Sequence, residues 1–313
     1  MDSTLRARQA VRPWVENSSG TLLVGVSGGA DSLALAIALS LEANGRLIIP
    51  VVIDHGLQEV TAAIAEETTR KLETIGFSKV EVIRLKVEMK DGLEASARRA
   101  RYEAFQSISN KYESTFFFLG HTENDLAEGV LLGLARGSGT RSLSGMSEVN
   151  GIYIRPFLQL TRDVTEEVCK ENKIEAWVDP HNSDEQFTRV RARKNILPIM
   201  ERDLGPGISS ALARSSRILR EDADALDELA QGFLNERDCL SIAELQSLPR
   251  AVRARVLRRL VYAAGAPSGS LNYDHITPIE ALITAWHGQG PSSLPGGVKV
   301  ERISGRLSLS KQD

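Results

Sequence analysis

Between residues 21 and 157 the chain alternates short apolar runs with longer stretches in which apolar residues recur every three or four positions. The apolar runs predict strands at Leu22–Ser27, Leu47–Asp54, Lys79–Val87, Thr115–His121 and Gly151–Phe157. The periodic stretches predict helices at Ala30–Leu41, Thr61–Ile75, Glu94–Asn110 and Asn124–Ala135. Such alternation builds a parallel sheet covered by helices on both faces, a doubly wound, Rossmann-like α/β fold. Ligands of that fold bind at the carboxyl ends of strands, where Ser27-Gly28-Gly29, Asp54-His55-Gly56 and Gly120-His121 all fall. The pattern changes at Gly205-Pro206-Gly207. Helical periodicity then dominates, at Ile208–Phe233, Ser241–Leu248 and Arg250–Ala264, before two β-like runs, Val298–Ile303 and Arg306–Leu309. The expected organisation is an α/β domain over residues 1–205, then a linker helix and a smaller, mainly helical domain over residues 206–313.

A length of 313 residues accommodates two such domains. The net charge of −3 argues against a uniformly basic nucleic-acid coat, so any RNA contact must rest on local patches. Leu33–Leu41, the longest apolar stretch, is too short to span a bilayer, and residues 1–20 lack the apolar core of a signal peptide. A cytoplasmic protein without a membrane partner is expected. Cys169 and Cys239 lie far apart with no Cys-x-x-Cys, the pattern of buried reduced thiols and not of a thiolate metal site.

The chemistry concentrates where the first strand meets the first helix of the alternating region. In Ser27-Gly28-Gly29-Ala30-Asp31-Ser32 two adjacent glycines let backbone amides approach an anion, and the helix start adds partial positive charge. Serine hydroxyls donate to phosphate oxygens, whereas Asp31 suits a phosphate only with Mg²⁺ between them. No Gly-Lys-Ser/Thr follows, so this is not a Walker A loop, and adjacent glycines do not make the dinucleotide fingerprint.

Other candidates are less specific alone. Asp125 and Glu128, three residues apart, share one helix face; they either favour the helix dipole or hold a cation. Asp54 and His55 at a strand end fit either turn chemistry or a nucleoside edge. Arg98 and Arg101 share a helix face that an anion would recruit. The Arg136–Arg141 loop reads equally as a helix cap or a mobile lid. From Arg189 to Arg220 eight basic residues face two acids, Glu201 and Asp203, and Arg250, Arg253, Arg255, Arg258 and Arg259 follow without an acid between them. These are the basic patches that an RNA backbone needs, or else solvated amphipathic helices.

Ser-Gly-Gly-x-Asp-Ser resembles the signature of the PP-loop ATP pyrophosphatases, which adenylate their substrates. The match extends through Asp54-His55-Gly56-Leu57, Glu94-Ala95-x-Ala97-Arg98-x-x-Arg101-Tyr102, Gly120-His121-Thr122-x-x-Asp125-x-Ala127-Glu128 and Leu131-Leu132-x-Leu134-x-Arg136-Gly137-Ser138-Gly139. Arg155-Pro156-Phe157, Trp177-Val178-Asp179-Pro180-His181-Asn182, Phe187-Thr188-Arg189 and Arg193 continue it. In this order and spacing the chain is similar to the tRNA(Ile)-lysidine synthetases, closely over residues 20–200 and more loosely through Leu294-Pro295-Gly296-Gly297; it resembles the short form of that family.

The resemblance implies a fold of the adenine nucleotide alpha-hydrolase type and a ligase that joins free L-lysine to C2 of the wobble cytidine of a tRNA(Ile) with a CAU anticodon. It implies ATP on Ser27, Gly28, Gly29, Ala30, Asp31 and Ser32, with Asp31 towards Mg²⁺ and with Asp54, His55, Gly120 and His121 around the nucleotide. Asp125 and Glu128 would hold the lysine ammonium groups, one of them accepting a proton. Arg193, with Arg189 second, would face charge on the phosphate, and Arg98 and Arg101 would contact substrate. Leu126, Gly129, Gln58 and Val190 depart from the residues usual in the family. The rivals are a PP-loop tRNA thiolation enzyme, which would need cysteines near the loop, and a nucleotide-binding module without turnover.

Overall fold

The computed structural model describes residues 2–54, 59–85, 93–137, 139–179, 184–235 and 241–311. They divide into two compact units, Met1–Leu132 with Met146–Arg214, and Gly133–Gly145 with Ser215–Asp313. The division falls inside a long helix, beyond the Gly205-Pro206-Gly207 turn.

In the first unit the elements run α1 (Ser3–Glu16), β1 (Leu22–Val26), α2 (Ala30–Glu42), β2 (Ile48–Asp54), α3 (Glu59–Ile75), β3 (Glu81–Arg84), α4 (Leu93–Tyr112), β4 (Phe116–Leu119) and α5 (Glu123–Ala135). After the short α6 (Thr140–Leu143) come β5 (Val149–Asn150), β6 (Tyr153–Ile154), α7 (Arg162–Glu171), α8 (Thr188–Arg191), a π-helical turn at Ala192–Ile196, and α9 (Leu197–Asp203). The sheet order is β3-β2-β1-β4-β6-β5, parallel except where β5 folds back on β6. Because β2 and β4 flank β1, chain connections leave β1 in opposite directions and open a crevice beyond the tips of β1 and β4.

Alternation along β1 explains the layers. Leu22 and Val24 face a core shared with Leu33 and Leu35 of α2 and Val168 of α7, while Leu23 faces Phe105 of α4 and Phe117. The expected strands are present but shorter, and α1 and α7 add a helical layer that the alternating pattern did not include. Ala7, Val11 and Val15 of α1 recur every fourth residue and are buried, despite Pro13 inside the helix.

α10 (Ile208–Asn235) begins where Glu201 caps the amides of Gly207, Ile208 and Ser209. The second unit then holds α11 (Ile242–Ser247), α12 (Arg250–Ala263), α13 (Tyr273–Thr284) and an antiparallel sheet ordered β7 (Ser292–Ser293), β8 (Val298–Ile303), β9 (Arg306–Lys311). Leu245, Val256, Ile279, Leu282, Val298 and Val300 are fully buried in its core. Capping boxes at Ser241/Glu244 and Asn272/His275 start α11 and α13. No helix among the described residues is long and apolar enough to cross a membrane.

The arginine run of α12 is engaged inside this unit. Arg250 pairs with Glu280 at 3.0 Å, Arg253 donates to the Leu248 carbonyl at 3.0 Å, and Arg255 pairs with Asp227 at 3.0 Å. Arg258 donates to the Leu271 carbonyl at 2.7 Å and Arg259 to Gln231 at 2.6 Å. Likewise Arg141, in the loop read as a cap or a lid, pairs with Asp224 at 2.6 Å and also with Asp227.

Candidate active site

The turn after β1 is built around backbone proximity. Gly28 has φ +85°, and a Cβ there would stand 2.6 Å from Thr68 Oγ1. Gly29 precedes α2 without a capping side chain, which leaves the first amides of the helix to a ligand. Ser32 Oγ donates to the Gly29 carbonyl at 2.9 Å, accepts from the Ser27 amide at 3.1 Å and lies 3.2 Å from Ser27 Oγ. At the tip of β4, a Cβ on Gly120 would fall 2.8 Å from the Asp31 carbonyl, so glycine is what lets that tip close on the first turn of α2.

These tips open into a cavity of about 770 Å³. It brings Ser27, Gly29, Ala30, Asp31 and Ser32 together with Gly120 and His121, and adds Arg101, Asp125 and Arg193. Burial pushes the His121 imidazole down to about 4, against the pull of Asp125, so it is neutral at pH 7. Its buried Nδ1 has no hydrogen-bond partner among the described residues, and a bound molecule would satisfy it.

Behind the cavity lies a cluster of carboxylates and guanidinium groups. Glu128 is fully buried, and both its oxygens are taken: Oε1 by Arg193 Nε at 2.6 Å, Oε2 by Arg189 Nε at 2.9 Å and Arg193 Nη2 at 3.1 Å. Asp125 accepts at Oδ2 from the Thr122 amide (2.8 Å) and hydroxyl (3.1 Å), an N-terminal turn bond of α5. Burial raises the Asp125 carboxyl, but the Thr122 amide and the charges of Arg162 and Arg189 outweigh it and hold it below the ordinary carboxylate range. Asp31 goes the other way: burial holds it above that range, although Arg162 stands 3.4 Å from Oδ2 and Thr165 donates to Oδ1.

Arg162, which the sequence reading did not single out, is the cation shared by all three acids, at 3.4 Å from Asp31, 3.6 Å from Asp125 and 3.8 Å from Glu128. Its signal was faint: a threonine before an arginine at the start of a helix, at positions 161 and 162. The segment 174–178 also lines the cavity, with the Trp177 amide donating to the Gly28 carbonyl at 2.9 Å.

Other candidates stand elsewhere. Asp54 lines a separate cavity of about 550 Å³, accepts from Thr61 at 2.7 Å and lies 3.6 Å from Arg84. His55 lies outside the described residues. Arg98 is over the Tyr102 ring at 5.1 Å and does not line the main cavity, whereas Arg101 does, with burial lowering its affinity for its proton. Asp31, the expected metal ligand, offers a single carboxylate at the loop. That suits Mg²⁺, which binds through one or two carboxylates together with substrate phosphates.

Comparison with known proteins agrees with this geometry. Residues 2–200 match the PP-loop domain and residues 240–308 the TilS substrate binding domain. The tRNA(Ile)-lysidine synthase of Streptomyces coelicolor is 47% identical over 297 residues, 92% of this chain and 84% of that protein. The enzyme of that name from Thermobifida fusca is 43% identical over 316 residues, 97% of this chain and 96% of its own. Among solved structures, the U34-tRNA thiolase NcsA of Methanococcus maripaludis superposes with a TM-score of 0.58 at 16% identity, over 70% of this chain and 78% of that one, a likeness of fold.

Proposed function

The chain belongs to the tRNA(Ile)-lysidine synthase family, and from that premise we infer that it uses ATP and Mg²⁺ to join free L-lysine to C2 of the wobble cytidine in a CAU-anticodon tRNA(Ile). One observation carries this reading: a phosphate cradle and a buried acid–arginine cluster open into the same cavity.

The chemical problem is that cytosine C2 bears a poor leaving group. Attack of its O2 on the α-phosphate of ATP expels pyrophosphate and turns that oxygen into AMP, which leaves when the ε-amine of lysine adds to C2. The amides at the start of α2, with Ser27 and Ser32, hold the phosphates. Bound at Asp31 with the nucleotide, Mg²⁺ would neutralise phosphate charge. Arg193, fixed by Glu128, faces charge developing on the phosphate. Because both Glu128 oxygens are occupied, Glu128 serves as the anchor of Arg189 and Arg193, and Asp125 Oδ1 receives an ammonium group of lysine. His121, neutral at physiological pH, offers a ring nitrogen without adding charge.

Thiolation is not favoured. Cys169 is buried, with its thiol pushed up to about 11 by burial, the opposite of an activated thiolate. The test is to incubate the protein with ATP, Mg²⁺, lysine and CAU-anticodon tRNA, digest the RNA and weigh the nucleosides. Cytidine heavier by a lysyl group is expected; a gain of sulfur or no gain overturns the reading. Asp31→Ala should abolish pyrophosphate release, and full turnover in that variant would remove the metal role.

A further inference from the structure

Among its described residues the second unit exposes two aromatic side chains, Tyr273 and Trp286, each beside an arginine, and the two pairs differ. Arg250 stands 5.4 Å from the Tyr273 ring centroid and donates to its hydroxyl at 3.0 Å, but Glu280 already neutralises that arginine at 3.0 Å. Trp286, just beyond α13, is 41% exposed and belongs neither to the core of the unit nor to the side chains packed against it. Arg302 of β8 lies 5.3 Å from the indole centroid and gives Nη1 to the Leu282 carbonyl at 3.1 Å. No carboxylate pairs with Arg302 among the described residues, and its other N–H groups remain for a further acceptor.

The turn that presents the indole is fixed by its own side chains. The Ala285 carbonyl meets His287 Nδ1 at 3.0 Å and accepts from Gln289 Nε2 at 3.3 Å, while the His287 amide donates to Gln289 Oε1 at 2.8 Å. A ring nitrogen facing a carbonyl carries the proton, so the neutral tautomer of His287 offers Nε2 as an acceptor. An exposed indole, an arginine without a carboxylate partner and a neighbouring acceptor together complement an unpaired nucleotide: a flat base, a phosphate and a ribose hydroxyl. We propose that Trp286 is a stacking platform for an unpaired base of the tRNA, with Arg302 taking the adjoining phosphate and His287 Nε2 accepting from the ribose. The match of residues 240–308 to a substrate binding domain supports an RNA and not a protein as the occupant. A stack of this kind adds affinity without reading sequence.

The proposal rests on the ligase reading and names a contact made by its RNA. Its test measures the Kd of CAU-anticodon tRNA across a salt series for the wild type, Trp286→Ala, Trp286→Phe, Arg302→Gln and, as a control, Tyr273→Ala. Trp286→Ala should weaken binding about 5- to 100-fold, the worth of one base on an aromatic ring, with the salt slope unchanged because a stack releases no counterion. Trp286→Phe should recover most of that loss, Arg302→Gln should lower the slope by about one, and Tyr273→Ala should stay within about 3-fold of wild type. Wild-type tryptophan emission should be quenched by tRNA, and Trp286→Phe should remove most of the quenching. Wild-type emission that tRNA leaves unchanged overturns the proposal without needing any variant to fold. Trp286→Ala binding within 3-fold of wild type also overturns it and leaves the indole to a protein partner. So does an equal loss in Trp286→Ala and Trp286→Phe with lowered melting temperatures in both, the result of a packing residue. A wild type that binds tRNA in the expected way yet attaches no lysine supports the stack and defeats the ligase reading.

Discussion

In the first unit Arg162 from α7 meets Arg189 and Arg193, which lie four residues apart on the continuous run of α8 and the π-helical turn, and the three converge on three acids beside a cavity. In the second unit five arginines follow one another along α12 and then disperse, to Glu280, to Asp227, to Gln231 and to the carbonyls of Leu248 and Leu271. Local sequence density is higher in the second group, yet its contacts tie helices and loops of the unit together. The difference teaches that arginine density does not mark an anion site. Convergence on a buried carboxylate with open space alongside is the arrangement in which a ligand could replace a resident partner.

The largest test of this contrast exchanges one buried acid in each unit. Glu128→Gln removes the charge that fixes Arg189 and Arg193, and ligation should fall about 10³-fold, the scale of losing an aligned electrostatic contact. Glu280→Gln should instead lower the melting temperature, with ligation per folded molecule within about 3-fold of wild type, since Glu280 joins Arg250 and Arg253 within the second unit. An active Glu128→Gln enzyme, or a stable but inactive Glu280→Gln enzyme, would break the comparison.

A second test asks whether the α12 pairs can be replaced by packing. Arg253 is 8% exposed and bridges the last carbonyls of α11 to Glu280. Arg253→Met should cost about 3 kcal/mol in urea unfolding by leaving partners buried and unpaired. Adding Glu280→Leu should recover at least half of that, because apolar side chains of similar size often substitute for a buried ion pair. The corresponding double change in the cleft, Arg193→Met with Glu128→Leu, should recover no ligation.

Much of the first unit was legible beforehand, and the reasons are particular. Strand tips carrying Ser27 and Gly120 show in the sequence because apolar runs end on polar turns, and Asp125 and Glu128 show because a three-residue step is local. Arg162 did not, since its contact with Asp31 spans 131 residues and no short pattern encodes it. The helices α1 and α13 were outside the expected elements for another reason: each contains a proline, Pro13 and Pro278, which local reading treats as a stop. Tertiary burial of Val11 and Val15, and of Ile276 and Ile279, overrides that cost. The α12 arginines were legible as charge, but their partners were not, because Gln231 and Leu271 lie 28 and 13 residues away.

His121 sharpens the comparison by titration. Its imidazole is held down to about 4 in the folded chain, by burial first, against about 6.5 when unfolded. As pH falls, the unfolded chain takes up this proton before the folded one. Its contribution to stability is thus complete above pH 6.5 and is lost between about 6.5 and 4, amounting to about 3 kcal/mol. Unfolding free energies measured across that range should fall less steeply in His121→Gln. A His121 ring titrating near 6.5 in the folded protein would contradict the burial of the ring in the cation-lined cleft.

The smallest effect belongs to Arg255 and bears on whether α12 itself meets RNA. Arg255 pairs with Asp227 at 3.0 Å, with the two side chains 17% and 27% exposed. Breaking a partly exposed pair costs about 1 kcal/mol or less, so Arg255→Ala should shift the melting temperature only slightly. A phosphate contact would show in another quantity: its loss lowers the slope of log K against log salt for tRNA binding by roughly one. With Arg255 already held by Asp227, the slope should stay within error of wild type while affinity changes less than about 3-fold. A slope smaller by one unit would mean that Arg255 leaves Asp227 for a phosphate.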